Sequence, residues 1–266
     1  PEFIEDETLF PSWLNRSKQE GLRVRTGYWN IKGKPITILV DFSHYINEKN
    51  DILTYYWNTQ KVDSLDASWD YTEYVLFGYA VGKVLESFVN FQVGARERAI
   101  AHFHEWMSGA GALYVKNELP HVGTIFTTHA TVLGRSIAGN GWALYNYLES
   151  YNPKELAYRF SVQHKHFLEA KIAQQVDIFT TVSDITAREC THFLERTPEV
   201  ITPNGFDESY LMDRTSFLGK HKRATTKLLE VAQKNTGETF EEKHKIGDTV
   251  KVKVTEILDF GMLVDK

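Results

Sequence analysis

Four stretches of this sequence place polar or ionisable side chains directly behind runs of β-branched and aromatic residues. Thr124-Ile-Phe-Thr-Thr-His129 ends on a histidine, with Arg135 six residues further on. His102-Phe-His104-Glu105, Asp177-Ile-Phe-Thr-Thr-Val-Ser183 and the turn Pro203-Asn204-Gly205 after Val200–Thr202 repeat the pattern. In an open parallel sheet ligands bind beyond the carboxyl ends of the strands, so these positions line one edge. There His129 supplies a polar handle and Arg135 a fixed planar cation. His102 and His104 are read as pointing to opposite faces of their strand, so no metal pair is expected. His164 and His166, two apart on a helix, are read as solvated and given no role. Ser183 lacks a glycine-rich elbow and is read as a helix cap, not a nucleophile.

Those residues need a scaffold, and the composition permits one. The chain has 266 residues, 42% of them hydrophobic, enough for one large domain or two small ones. A net charge of -5 provides no global basic field to recruit nucleic acid, so an anionic ligand must be met by local cations. The single cysteine, Cys190, excludes an internal disulfide and is read as a small helix residue. The absence of a long apolar run or signal-like start points to a reducing, cytoplasmic setting without a membrane span.

Along the chain, residues 1 to 10 are acidic and poorly patterned, and Ser12 is read as capping a short helix that ends at Gly21. Leu22–Ile31 and Ile36–Phe42 read as an antiparallel hairpin through Gly33-Lys34-Pro35. A helix is expected over Asp51–Thr59. A long one then starts at a capping box of Asp70 and Glu73 and buries Tyr74, Phe77, Val81, Val84, Leu85 and Phe88 as one stripe. From Ala99 the pattern is strand, helix, strand, helix, the grammar of a doubly wound sheet. One helix is expected from Asn152-Pro153 to Gln175, and another over Asp184–Arg196.

Four linked motifs resemble the animal and fungal type of glycogen synthase. These are His102-Phe-His-Glu-Trp106, Thr124–Thr131 with Leu133-Gly-Arg135, Asp177–Ser183 and Pro203-Asn-Gly205, in matching order and spacing. The likeness extends from about Gly21, through Gly27-Tyr-Trp and Val75-Leu-Phe-Gly-Tyr79, to about Gln233. It implies an α/β fold, the Rossmann-like N-terminal half of a two-domain glycosyltransferase, over residues 1–235. It also implies transfer of glucose from a nucleotide sugar, UDP-glucose being favoured over ADP-glucose, to an α-1,4-glucan with retention and without a metal ion or other cofactor. By resemblance His129 is the catalytic residue beside the transferred glucose, and Arg135 serves the diphosphate. Glu105 and Asn204 are substrate-binding positions around the cleft. The family's opening strand with its glycine-containing loop, and its second nucleotide-binding half, are not found here. The chain is therefore expected to be an incomplete, inactive half of an enzyme, for which a homo-oligomer is compatible.

Residues 236–266 read differently. Lys245–Val264 alternates as two strands about Asp259-Phe260-Gly261, giving a C-terminal β-hairpin tail that resembles the first strands of a ribosomal-protein type of OB-fold RNA-binding repeat. The tail is either part of a truncated fusion or a fortuitous extension. It carries the alternative function, RNA binding, which the net charge opposes.

Overall fold

The computed structural model describes residues 2–94, 96–205, 214–236, 253–258 and 261–265. The chain divides into two compact units, Pro1–Asn204 and Gly205–Lys266.

The first unit opens with β1 (Phe3–Glu5), α1 (Pro11–Gln19), β2 (Val24–Trp29) and β3 (Ile36–Val40), the three strands forming an antiparallel sheet in the order β1-β2-β3. The expected hairpin is present. The stretch read as poorly patterned is a third strand, registered with Ile4 opposite Tyr28. The expected cap at Ser12 is replaced by Phe10, whose φ of 53° turns the chain into Pro11 at the start of the helix. Trp13, Leu14, Leu22 and Val84 form a small core beneath this sheet.

Next come α2 (Lys49–Gln60) and α3 (Trp69–Gln92). Ser68 occupies the N-cap of α3, and its hydroxyl bonds Asp70 instead of completing a capping box with Glu73. The buried residues of α3 include Tyr71, Val75, Leu76, Gly78, Gly82, Val84, Ser87 and Val89. Apart from Val84, the stripe expected to be buried is partly exposed. The reason is a helix approaching closely from the other side: a Cβ on Gly78 would lie 2.7 Å from the Gly111 nitrogen. Gly78 and Gly82 therefore mark where the two helices come closest.

The central sheet is built from β4 (Ile100–His104), α4 (Gly109–Glu118), β5 (Gly123–Thr128), α5 (Val132–Gly139), α6 (Pro153–Arg159), α7 (Gln163–Gln175), β6 (Ile178–Thr181), α8 (Asp184–Phe193) and β7 (Val200–Ile201). All pairs are parallel, in the order β4-β5-β6-β7. Right-handed crossovers that advance in one direction place their helices on one face. On the covered face Phe103, Phe126 and Phe179 sit in one register row, Phe126 and Phe179 being 0% exposed. Ile100, Ile178 and Val200, on the opposite face, are solvent-accessible.

The single helix expected over 152–175 is broken. Ser161 takes a left-handed φ of 57°, the Val162 N–H donates to the Ala157 carbonyl (2.9 Å) and the Ser161 N–H to Tyr158 (3.0 Å). This is a helix C-terminal motif usually built on glycine. The break turns His166 inward: it is buried at 3% exposure, not solvated as expected. Burial pushes its imidazole down to about 4, so it is neutral near pH 7.

In the second unit, α9 (Arg214–Thr236) is followed by β8 (Lys253–Leu258) and β9 (Gly261–Asp265), an antiparallel pair with an irregularity between Val254 and Glu256. The later part of the expected tail hairpin is thus present, while residues 245–252, 259 and 260 of that expectation lie outside the described residues.

Candidate functional site

β4 and β5 are registered with His104 opposite Thr127, so both strands deliver their next residues to the same end of the sheet. Glu105 follows β4 with φ 62° and ψ 157°, a conformation that is essentially glycine-only. Holding it costs on the order of 1–3 kcal/mol. Several bonds enforce it: its N–H donates to the Thr127 carbonyl (2.9 Å), and its carbonyl accepts from the Ser108 N–H (3.1 Å) and hydroxyl (3.2 Å). The strain aims the carboxylate across to β5, where Oε1 accepts the His129 N–H (3.0 Å) and lies 3.3 Å from Arg135 Nη2.

Arg135 sits on the first turns of α5, and its Nε also reaches the Ala130 carbonyl (3.4 Å). Its side chain is 61% exposed, against 15% for Glu105. The guanidinium is thus steered by one carboxylate and left accessible to an anionic ligand.

The histidines form a second thread. His104 Nδ1 and His129 Nε2 are 3.3 Å apart, the donor depending on tautomer. Residues two apart on a strand share a face. His102 and His104 accordingly have ring centroids 4.2 Å apart, which corrects the expectation that they point oppositely. His102 Nε2 is 2.7 Å from Thr127 Oγ1, which is 2.5 Å from Thr180 Oγ1, so a hydrogen-bonded line crosses three strands beneath the edge. Burial lowers the pKa of both His102 and His104, and the neighbouring His102 and His129 lower that of His104 further. The imidazoles of His102 and His104 therefore offer hydrogen bonds near neutral pH more than charge. Among the described residues no group of three or more His, Cys, Asp or Glu side chains is placed to hold a metal ion.

Asn204 lies three residues beyond β7, exposed, at the same end of the sheet. It shares no hydrogen bond with Glu105, His129 or Arg135, which are joined directly. Ser183 caps α8, its Oγ accepting the Thr186 N–H (3.2 Å). Cys190 is fully buried, and burial raises its thiol pKa, consistent with a core role. Sequence reasoning missed Glu169 and Glu189, which are buried beneath the loop between β5 and α5. A glutamate on a polar helix gives no local sign that it is buried. Among the described residues no helix is long and apolar enough to cross a membrane.

A family model described as glycogen synthase matches residues 4–234. A glycogen (starch) synthase of Neurospora crassa is 33% identical over 231 residues, covering 85% of this chain and 32% of that protein. The protein of the same name in Dictyostelium discoideum is 35% identical over 209 residues, 76% of this chain and 23% of its own length. One from Caenorhabditis elegans is 34% identical over 194 residues, 73% of this chain and 29% of its own. The chain thus spans about a third or less of the length of the curated relatives it matches. With the match covering most of the sequence, and the strand-end motifs inside it, the chain belongs to the glycogen synthase family.

Proposed function

We propose that this chain forms the incomplete N-terminal half of a retaining glucosyltransferase that moves glucose from a nucleotide sugar, UDP-glucose in the favoured reading, to the end of an α-1,4-glucan. The observation that carries this reading is the joint hold of Glu105 on the His129 N–H and on Arg135, at the carboxyl end of a parallel sheet in a member of this family. In the reaction the bond from the anomeric carbon to the diphosphate oxygen breaks, and its electron pair leaves with the nucleotide. A glucan hydroxyl forms the new bond on the face that the diphosphate leaves, and its proton passes to the departing diphosphate oxygen. Charge builds on the departing diphosphate while the sugar carbon becomes oxocarbenium-like. Arg135 is the cation for the former, and His129 the hydrogen-bonding group beside the sugar. Fixed groups of this kind act by preorganisation, since they need not reorient as charge develops. Glu105 and Asn204 complete the rim as substrate-binding residues.

The rest of the site is contributed by sequence corresponding to the other two-thirds of the relatives, so the 266 residues alone have little or no activity. The setting is reducing and cytoplasmic. The family match ends at residue 234, and nothing in the named relatives favours RNA binding by the hairpin tail. The test is incorporation of radiolabelled glucose into a glucan primer by the full-length protein, with UDP-glucose and ADP-glucose as donors. Transfer from UDP-glucose in preference to ADP-glucose is expected. Absence of transfer from either donor would refute the reading.

A further inference from the structure

The loop that carries His129 stands on two buried glutamate side chains. Glu169 of α7 is 0% exposed, its Oε1 accepting the Thr128 hydroxyl (2.9 Å) and its Oε2 the Val132 N–H (2.9 Å). Glu189 of α8 is 3% exposed, its Oε2 accepting the Thr131 hydroxyl (2.8 Å) and its Oε1 the Tyr145 hydroxyl (2.7 Å). Thr131 in turn caps α5, accepting the Gly134 N–H (2.9 Å). With Glu105, just after β4, on the His129 N–H, three acidic side chains hold residues 128, 129, 131 and 132. The first turn of α5 is also shaped to admit Glu189: a Cβ on Gly134 would lie 2.1 Å from Glu189 Oε2.

Stability alone is a poor reason for this arrangement. Burying an acidic side chain is costly, as the Glu169 carboxyl shows by being pushed up to about 8 by burial, and well-packed apolar replacements of buried charged groups are often neutral or stabilising. A local cap, with an acidic side chain inside the first turn of α5, would satisfy the same N–H groups near the surface. Here the acceptors come from 37 and 58 residues away. They tie the loop and the start of α5 to two helices of the packed layer.

We propose that Glu169 and Glu189 are positioning residues of this site: through Thr128, Thr131 and the Val132 N–H they fix the loop that presents His129 and Arg135. The inference rests on the proposed transferase reading, and it extends the site into helices that no strand-end motif marks. Misplacing reacting groups by about 1 Å can lower turnover by about 100-fold, so loosening this support is a kinetic lesion before it is a folding one.

The test uses the full-length protein and Glu169→Leu, Glu169→Gln, Glu189→Leu and Thr128→Val, the last removing one donor while leaving both carboxylates in place. Amide hydrogen exchange should accelerate in the peptide spanning 128–135 and remain unchanged in the strands. Turnover per folded molecule should fall about 10–100-fold in Glu169→Leu, less in Glu169→Gln, which keeps one acceptor oxygen, and least in Thr128→Val. In a His129→Ala background the loss from Glu169→Leu should shrink to about threefold or less, because the two residues act as one unit. Unchanged exchange at 128–135 would overturn the proposal. So would an undiminished loss in the His129→Ala background, which marks a merely structural role. If Glu169→Leu does not fold, Glu169→Gln and Thr128→Val decide the outcome by the same readouts. A wild-type protein that transfers no glucose would contradict the transferase reading, whereas the exchange comparison would still decide the positioning claim.

Discussion

The two ends of the central sheet handle charge in opposite ways. At the amino-terminal end Asp177 accepts from Lys116 Nζ (2.7 Å), from the Thr124 N–H (2.7 Å) and from the Thr124 hydroxyl (2.8 Å). Nearby, Arg196 pairs with Glu199 (2.7 Å) and donates to the carbonyls of Ala173 (2.7 Å) and Val176 (2.8 Å). Glu199 in turn accepts the Phe179 N–H (2.7 Å). Each of these charges is answered, and the cluster closes the sheet. At the carboxyl end the carboxylates are satisfied from within, while the exposed Arg135 has one longer ion pair and the histidines keep a partly open edge. The first arrangement spends its bonds on the fold. The second uses buried bonds to leave accessible groups in fixed positions, which is what a binding site requires.

This contrast predicts an order of effects. The largest concerns completeness: the 266-residue chain should incorporate little or no labelled glucose where the full-length protein incorporates it readily, and robust incorporation by the short chain would break the half-site account. Next, Arg135→Ala in the full-length protein should raise the donor KM and lower kcat together, reducing kcat/KM by about 100-fold as diphosphate stabilisation is lost. Steady-state kinetics over a range of UDP-glucose checks this.

His166 should govern stability on the acid side. Its folded pKa, about 4, lies below its ordinary value of 6.5. The neutral form therefore supports folding above pH 6.5, and that support is lost as pH falls from 6.5 through 4, by up to about 3 kcal/mol. Denaturant midpoints measured across this window should fall in the wild type and fall less in His166→Gln.

Smaller again, Asp177→Ala should destabilise the fold by about 1 kcal/mol, since its ion pair is half-exposed, with turnover unchanged. The Lys116 bond helps hold its carboxyl down to about 2, so the wild type should lose this contribution as pH falls from 3.8 through 2. Thermal melts of both proteins measure it. Cys190→Ala should leave kcat/KM unchanged within error, since the thiol belongs to the core.

How much of this was legible in the sequence follows from how local each signal is. The alternating strands and helices, the early hairpin and the strand-end placement of Glu105, His129, Arg135 and Asn204 are set by patterns a few residues long. The burial of His166 was not legible, because the break at Ser161 uses a left-handed serine where glycine would have announced it. The shared face of His102 and His104 follows from the two-residue period of a strand and was misread. Glu169 and Glu189 were hidden for a different reason: their partners lie 37 to 58 residues away, and only the folded sheet brings carboxylate and loop together.

The central claim is that the carboxyl edge of the sheet, centred on His129, is where glucose is transferred. It is tested most directly by labelled-glucose incorporation from UDP-glucose by the full-length protein and its His129→Ala variant, each first shown to have the same melting midpoint. Turnover should fall about 100-fold or more in the variant, through loss of an interaction that strengthens as charge develops on the sugar. A folded His129→Ala protein with full turnover would contradict it.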